Sequence, residues 1–382
     1  MITVLHLSQT DINSDSRILK EISSIAKNTI KVVGLGVGIT PITRLATNEN
    51  ITIYSINLLS RKIKYIPSVI KNTLIVVEII FRMFSKSLQV KPNIIHCHDT
   101  PVLPLGIILK MITKSKLIYD AHELESNRNG LSKFAGKLTY YIEKVLWRFI
   151  DKLVVVSPSI KSWYVENIGP KDTEIILNSP VFFDSNTRDK NYLRNKFNIP
   201  QSSKIFLYVG IFTEGRGIDL VIEAFKKNDL DSHLVFLGYG DLESFLVDTA
   251  SDSMNIHLHR AVSHESVVEI SRSADVGLAL IENISLSDFY SLPNKLFEYA
   301  FSGIPVLASD FPDISYIVNK YNLGECTDLS SESIYNAIKK FEQSNYDYKI
   351  DTSSLHDLTW ESQEIKLNLI YQNLINVIGD SK

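Results

Sequence analysis

Residues 290–310, YSLPNKLFEYAFSGIPVLASD, read as loop, helix, turn and strand. Pro293 suits the first turn of a helix, where its missing N–H leaves no hydrogen bond unmade. Leu296, Phe297, Tyr299, Ala300 and Phe301 give that helix a wide apolar face; Gly303 stops it and Pro305 bars its resumption. Ile304, Val306 and Leu307 then form a short buried strand. Two charges stand in this apolar helix, Lys295 and Glu298, three apart and so on one face near its start. A helix N-terminus favours an anion such as phosphate, and a carboxylate one turn further in can accept two hydrogen bonds from a vicinal diol such as a ribose. The same spacing also suits a solvated ion pair on an amphipathic helix.

Upstream, the second half continues the alternation of strand and helix. Strands are predicted at 204–210, 233–238, 254–259 and 276–281, with helices near 217–228, 241–250 and 264–273. The polar stretch 181–203, between Pro180 and the next strand, reads as an interdomain connection with one short helix around 190–197. The first half repeats the pattern, with strands at 2–8, 31–37, 51–56, 93–98, 116–121, 152–157 and 173–178. Several are continuous apolar runs, as expected of a parallel sheet covered on both faces. The fold class is therefore α/β: two doubly wound, Rossmann-like parallel-sheet domains, 1–180 and 204–359. A final helix over 360–377, with Thr359 as its N-cap, is expected to pack back on the first domain.

The 382 residues are enough for two cores. Two cysteines, Cys97 and Cys326, indicate no disulfide framework and fit a reducing, cytoplasmic setting. The start, MITVLHLSQT, is read as a strand rather than a signal peptide, and no apolar run is long enough to span a bilayer. Residues 1–180 carry 23 Lys and Arg against 14 Asp and Glu, a balance of +9; residues 181–382 carry 17 against 29, a balance of −12. A basic first half suggests an anionic partner. Nucleic acid is not expected, because no recognition motif or interleaved aromatic pattern accompanies the charge.

Four further stretches carry chemistry. In 208–219, YVGIFTEGRGID, Gly210, Gly215 and Gly217 allow close backbone approach, and Arg216 between two of them suits a diphosphate. In 116–123, KLIYDAHE, Asp120 and His122 alternate onto one face at the carboxyl end of a strand, where ligands of such folds sit, with Glu123 beside them. His96, Cys97, His98 and Asp99 look metal-like, but no second Cys/His pair has suitable spacing, so no metal is expected and His98 and Asp99 are placed at a strand end near the site. Residues 8–20 form a polar loop containing Asp15 and Arg17 and lack a dinucleotide fingerprint. Residues 61–91 hold seven basic residues and one acid, with Val69, Ile70, Leu74, Val77, Ile80, Phe81 and Phe84 around a charged stripe; such a helix lies on an anionic bilayer or forms a core helix with a solvated edge.

The segment PNKLFEYAFSGIPV resembles the nucleotide-sugar segment of glycosyltransferase family 4, of the GT-B fold class, and the resemblance runs from the DSR loop to the final helix. It implies two Rossmann-like domains facing across a cleft. It also implies a helix start at Asn294 and Lys295 beside the donor diphosphate, and Glu298 on the nucleotide ribose. The family pattern is Glu, seven residues, Glu; here Tyr290 occupies the first position, which alters the usual carboxylate contact to the donor sugar. The glycine-rich loop is similar to the donor-phosphate loop, with Gly210, Arg216 and Gly217 in donor-binding places, although Ile211 stands where a first basic residue is usual. The resemblance makes His122, with Arg216, a catalytic candidate facing donor phosphate and acceptor, and it puts Asp15, Arg17, His98, Asp99 and Glu123 on the acceptor side. It implies a retaining transfer from a nucleotide-diphosphate sugar to a glycan or polyprenyl-linked saccharide in surface polysaccharide or glycolipid synthesis. The sugar nucleotide is a co-substrate, no metal is required, and peripheral contact with an anionic membrane is expected through 61–91. A nucleotide-sugar epimerase or hydrolase on the same fold, or a non-catalytic scaffold, are the alternatives.

Overall fold

Short apolar runs flanked by helices fold as the parallel strands of two separate sheets. The structure, a computed structural model, describes residues 1–38, 49–63, 67–181, 189–227, 229–343 and 350–380. Contacts divide the chain into one unit of Met1–Ile176 with Glu364–Lys382 and a second of Leu177–Gln363.

In the first unit the chain runs β1 (Thr3–Leu7), α1 (Ser16–Ala26), β2 (Lys31–Val37), β3 (Ile51–Ile56), α2 (Ser68–Val90), β4 (Ile94–His98), α3 (Leu103–Thr113), β5 (Lys116–Ala121), α4 (Lys133–Leu146), β6 (Lys152–Val155), α5 (Pro158–Asn167) and β7 (Thr173–Ile175). The strands order as β3-β2-β1-β4-β5-β6-β7, all parallel. Strand order reverses between β1 and β4, where a doubly wound sheet opens its ligand crevice at the carboxyl ends. Register there pairs His6 with His96.

The second unit holds α6 (Tyr192–Phe197), β8 (Ile205–Ile211), α7 (Ile218–Phe225), β9 (His233–Tyr239), α8 (Glu243–Ser251), β10 (Ile256–Arg260), α9 (His264–Ser271), β11 (Val276–Ala279), α10 (Leu286–Phe289), α11 (Asn294–Ser302), β12 (Val306–Ser309), α12 (Pro312–Lys320), β13 (Gly324–Thr327) and α13 (Ser331–Gln343). Its sheet order is β10-β9-β8-β11-β12-β13, again parallel, with the reversal between β8 and β11. α14 (Trp360–Asp380) follows, and from Glu364 it belongs to the first unit. There Glu364 accepts a hydrogen bond from Lys27 Nζ at 2.8 Å.

Of the stretch 181–203, residues 182–188 lie outside the described residues, as do 64–66 of the basic stretch 61–91 and the side chain of Val69 within it. α6 packs within the second unit, where Arg194 pairs with Asp275 at 2.7 Å.

Two details fix α11 against its sheet. Pro293 is the N-cap, one residue before the helix proper, and Gly303 closes the helix in the left-handed region at φ 75°. A side chain at Gly277 of β11 would run into the Tyr299 ring, its Cβ 2.2 Å from Cγ. That close approach lets the Tyr299 hydroxyl accept from Val209 N–H at 2.8 Å and donate to the Leu207 carbonyl at 2.9 Å. α11 is thereby tied to β8, and its first turn lies at the carboxyl end of that strand.

Candidate functional site

At the first switch point, β1, β4 and β5 bring together His6, His96, His98 and Asp120, all fully buried, with His122 just beyond β5. Arg17 does not reach the surface: its guanidinium holds Asp120 through two bonds of 3.0 and 3.2 Å, approaches Glu21 at 3.2 Å and donates to the Ile176 carbonyl at 3.0 Å. Arg17 is therefore a buried partner of Asp120. Asp15 caps α1, accepting from the backbone N–H of Arg17 and Ile18 at 3.1 Å.

His122 Nε2 meets His98 Nδ1 at 3.0 Å and lies 3.2 Å from Asp120 Oδ2, and its Nδ1 lies 3.8 Å from Asp99 Oδ1. Burial alone would push the imidazole down, but Asp99 and Asp120 outweigh it and raise its pKa to about 10. Burial likewise opposes ionisation of Asp120, yet Arg17 and His122 hold it well below the usual carboxylate range. Burial, then the neighbouring rings, push His6 and His98 well below 6.5. At neutral pH one imidazolium, His122, thus stands at the end of a group of neutral histidines. Asp99 itself takes φ 66°, an uncommon value for a residue with a side chain, and its carboxylate accepts from the backbone N–H of His122 at 3.3 Å. Glu123 points to solvent and pairs with Arg128 at 3.3 Å.

Spacing along the chain gave no metal site, but folding adds His6 and Glu21 to His96 and His98, with ligand atoms within 4.8 Å of one another. Two nitrogens on one tetrahedral zinc stand about 3.3 Å apart. His6 Nδ1 and His98 Nε2 are 2.9 Å apart, a hydrogen-bond distance, so these rings bind each other.

At the second switch point, Lys295 rises from the first turn of α11 to the end of β8. Its Nζ lies 3.7 Å from the centre of the Tyr208 ring, and a Cβ at Gly210 would sit 3.6 Å from it. That ammonium is buried and has no hydrogen-bond partner among the described residues. Burial, then Arg216, push its pKa down to about 7 against the pull of Glu298. Arg216 is partly exposed and reaches Asp288 at 3.3 Å, while the Gly217 N–H donates to Glu282 at 3.1 Å. Glu298 is buried in the same helix, Asn294 opens it, and Tyr290 lies just after α10, half-buried. A hollow of about 440 Å³ nearby is lined by Glu282, Asp310 and Asp328 among others. Its acidic wall disfavours a diphosphate, which the Lys295 and Arg216 side favours.

The structure thus gathers Gly210, Arg216, Lys295 and Glu298 in one unit and Arg17, His98, Asp99 and His122 in the other. Sequence reasoning missed His6, Glu21 and Tyr371 in the first group and Tyr208 and Asp288 in the second. His6 alone had a signal: a switch between the first and fourth strands aligns it with the His96–His98 pair.

Comparison with known proteins bears on both units. Residues 44–179 match Glycosyltransferase Family 4, and residues 189–353 match Glycosyl transferases group 1. A chitobiosyldiphosphodolichol beta-mannosyltransferase of Candida albicans is 25% identical over 250 residues, 58% of this chain and 53% of the relative. The chain thus spans about half the length of that relative. Sucrose-phosphate synthase of Thermosynechococcus elongatus shares the fold at TM-score 0.79, 14% identity, 99% of this chain and 100% of its own. Anabaena HepE in complex with UDP and glucose does so at TM-score 0.70, 12% identity, 99% and 100%.

Proposed function

Because this chain belongs to glycosyltransferase family 4, with the GT-B fold, we propose that it moves a sugar from a nucleotide-diphosphate sugar to a glycan or lipid-linked saccharide. The observation that carries this reading is the buried, unpartnered Lys295 ammonium at the start of α11, with Arg216 beside it. An uncompensated buried cation is costly unless an anion joins it, and a diphosphate at a helix N-terminus is such an anion. Lys295 and Arg216 hold the diphosphate and stabilise charge on it as the glycosidic bond breaks; Glu298 receives the ribose hydroxyls. His122, being an imidazolium at neutral pH, serves as a hydrogen-bond donor to a substrate oxygen and not as a general base. No metal enters this scheme: the two cations and the helix terminus take the place of one.

The acceptor we propose is anchored in a membrane and belongs to surface polysaccharide or glycolipid synthesis. The name of the Candida relative carries a dolichol-linked acceptor. Among the described residues no helix is long and apolar enough to cross a membrane. Yet α2, α3 and α4 form one layer of the first unit and expose Val77, Phe81, Met111, Phe134, Tyr141 and Val145, with Phe134 78% exposed. Lys133, Lys137 and Lys144 are exposed along α4, and Arg148 is exposed just beyond its end. An apolar face edged with lysines suits peripheral docking on an anionic bilayer.

The test is a thermal-shift screen with UDP, GDP, ADP and CMP and their sugar conjugates. A ligand at one hundred times its Kd adds about 2.7 kcal/mol to the form that binds it. A shift with one nucleotide, lost in Glu298→Ala, supports the donor site; no shift with any overturns it. Nucleotide release without an acceptor would mark a hydrolase or epimerase instead. Family resemblance favours retention, and NMR of the product linkage decides it: inversion of the donor's anomeric configuration refutes that part.

A further inference from the structure

Among the described residues every ring nitrogen of His6, His96 and His98 but one has a hydrogen-bond partner, and the partners form a single line. The α14 residue Tyr371, fully buried, places its hydroxyl 2.6 Å from His96 Nδ1 and 3.4 Å from His6 Nε2. His6 Nδ1 meets His98 Nε2 at 2.9 Å, and His98 Nδ1 meets His122 Nε2 at 3.0 Å. The line ends at His96 Nε2, which has no hydrogen-bond partner among the described residues and lies 3.8 Å from Glu21 and 3.7 Å from Asp120.

We infer that Tyr371 is a positioning residue for His122, acting through His6 and His98 to fix which nitrogen of each ring carries the proton. A neutral imidazole has one donor and one acceptor nitrogen. His122, doubly protonated, donates to His98 Nδ1. His98 must then carry its proton on Nε2 and donate to His6 Nδ1. His6 in turn carries its proton on Nε2 and donates to the Tyr371 oxygen. The Tyr371 O–H donates to His96 Nδ1, which leaves the His96 proton on Nε2, towards Glu21 and Asp120. The His122 imidazolium sets this direction, because a hydroxyl relays either way; Tyr371 supplies the acceptor that the buried His6 Nε2–H needs in it. Without that hydroxyl the buried His6 Nε2–H has no acceptor, which favours the reversed line with the His6 proton on Nδ1. A His98 Nδ1–H would then face the His122 Nε2–H, and the imidazolium would be disfavoured.

The groups facing His122 and its line are Arg17 and Glu21 from α1, His96, His98 and Asp99 at the end of β4, Asp120 from β5, and Tyr371 from α14. Tyr371→Phe changes none of these charges. Burial holds the Tyr371 phenol well above its usual range, so it acts as a neutral relay at all working pH values.

That His122 meets substrate rests on the function proposed above; the proton arrangement does not, and it is read without any substrate. The experiment is nitrogen NMR of the full chain labelled at histidine, across pH. The expected spectrum has His6, His96 and His98 all protonated at Nε2 and His122 at both nitrogens at pH 7. In Tyr371→Phe, the His6 and His96 tautomers become mixed and the His122 titration midpoint falls by about one unit, a tenfold weaker hold on its proton. His6→Gln keeps an acceptor and a donor in line and leaves the His122 midpoint in place; His6→Leu lowers it. An Nδ1–H tautomer at any of the three neutral rings of the natural chain, unchanged resonances in Tyr371→Phe, or coordination shifts at His6 and His98 on adding equimolar Zn²⁺ would each overturn the inference.

Discussion

Replacing Lys295 with Met separates the two things its ammonium does. In the free protein the charge is a burden: burial and Arg216 take the pKa from 10.5 to about 7. A lysine with a lowered folded pKa takes up a proton on unfolding, so the penalty is complete below about pH 7 and fades as pH climbs towards 10.5. At about 1.4 kcal/mol per unit, the full penalty is roughly 5 kcal/mol at pH 6 and about 1 kcal/mol at pH 9.5. Methionine keeps an unbranched apolar stem over Tyr208 and loses the contact of the cation with that ring, worth about 1–2 kcal/mol. The variant should therefore be more stable than the natural chain by roughly 3–4 kcal/mol at pH 6 and by only about 1 kcal/mol at pH 9.5, where the folded amine is already neutral and makes no cation contact. Urea denaturation at the two pH values measures it. Nucleotide binding should move the other way, with UDP or whichever nucleotide the screen selects bound ten- to a hundredfold more weakly. In the natural chain, binding near pH 8 should draw in a proton, seen as a calorimetric enthalpy that varies with buffer. A variant less stable than the natural chain at both pH values, or one that keeps its nucleotide affinity, would refute the reasoning, because either means the ammonium is solvated and not waiting for an anion.

Gly277→Ala should cost about 1–3 kcal/mol by overpacking against Tyr299, and it should weaken nucleotide binding because α11 has to move; unchanged binding would separate helix placement from the site. Asp120→Asn leaves the Arg17 charge buried against Glu21 alone, so denaturation should record a loss of roughly 3–5 kcal/mol; a loss under about 1 kcal/mol would mean that Glu21 compensates fully. Phe134→Ser with Tyr141→Ser should lower sedimentation with anionic vesicles about tenfold or more while leaving nucleotide-induced shifts intact, and unaltered vesicle binding would assign that face to another partner.

What the sequence disclosed and what it withheld divide along physical lines. Hydrophobic period is local, so buried strands such as Ile205–Ile211 and His233–Tyr239 were legible to within a residue or two. The edge strand Gly324–Thr327 was not, because GECT is short, polar and half-buried throughout. Lys295 and Glu298 were legible as a pair on one face, but spacing cannot tell a solvated pair from a desolvated one. That distinction comes from Tyr208, 87 residues earlier, and from the tie of Tyr299 to β8. The burial of Arg17 was illegible for the same reason: only folding supplies the carboxylate of Asp120 that draws it inside. His6 and Tyr371 stand at opposite ends of the chain and meet because β1 lies beside β4 and α14 returns to the first unit. A charge becomes functional when its water is removed and its partner is not supplied. Which cation is left in that state is a property of packing, so the motif could name Lys295 while only the packed structure could say that it lacks a partner.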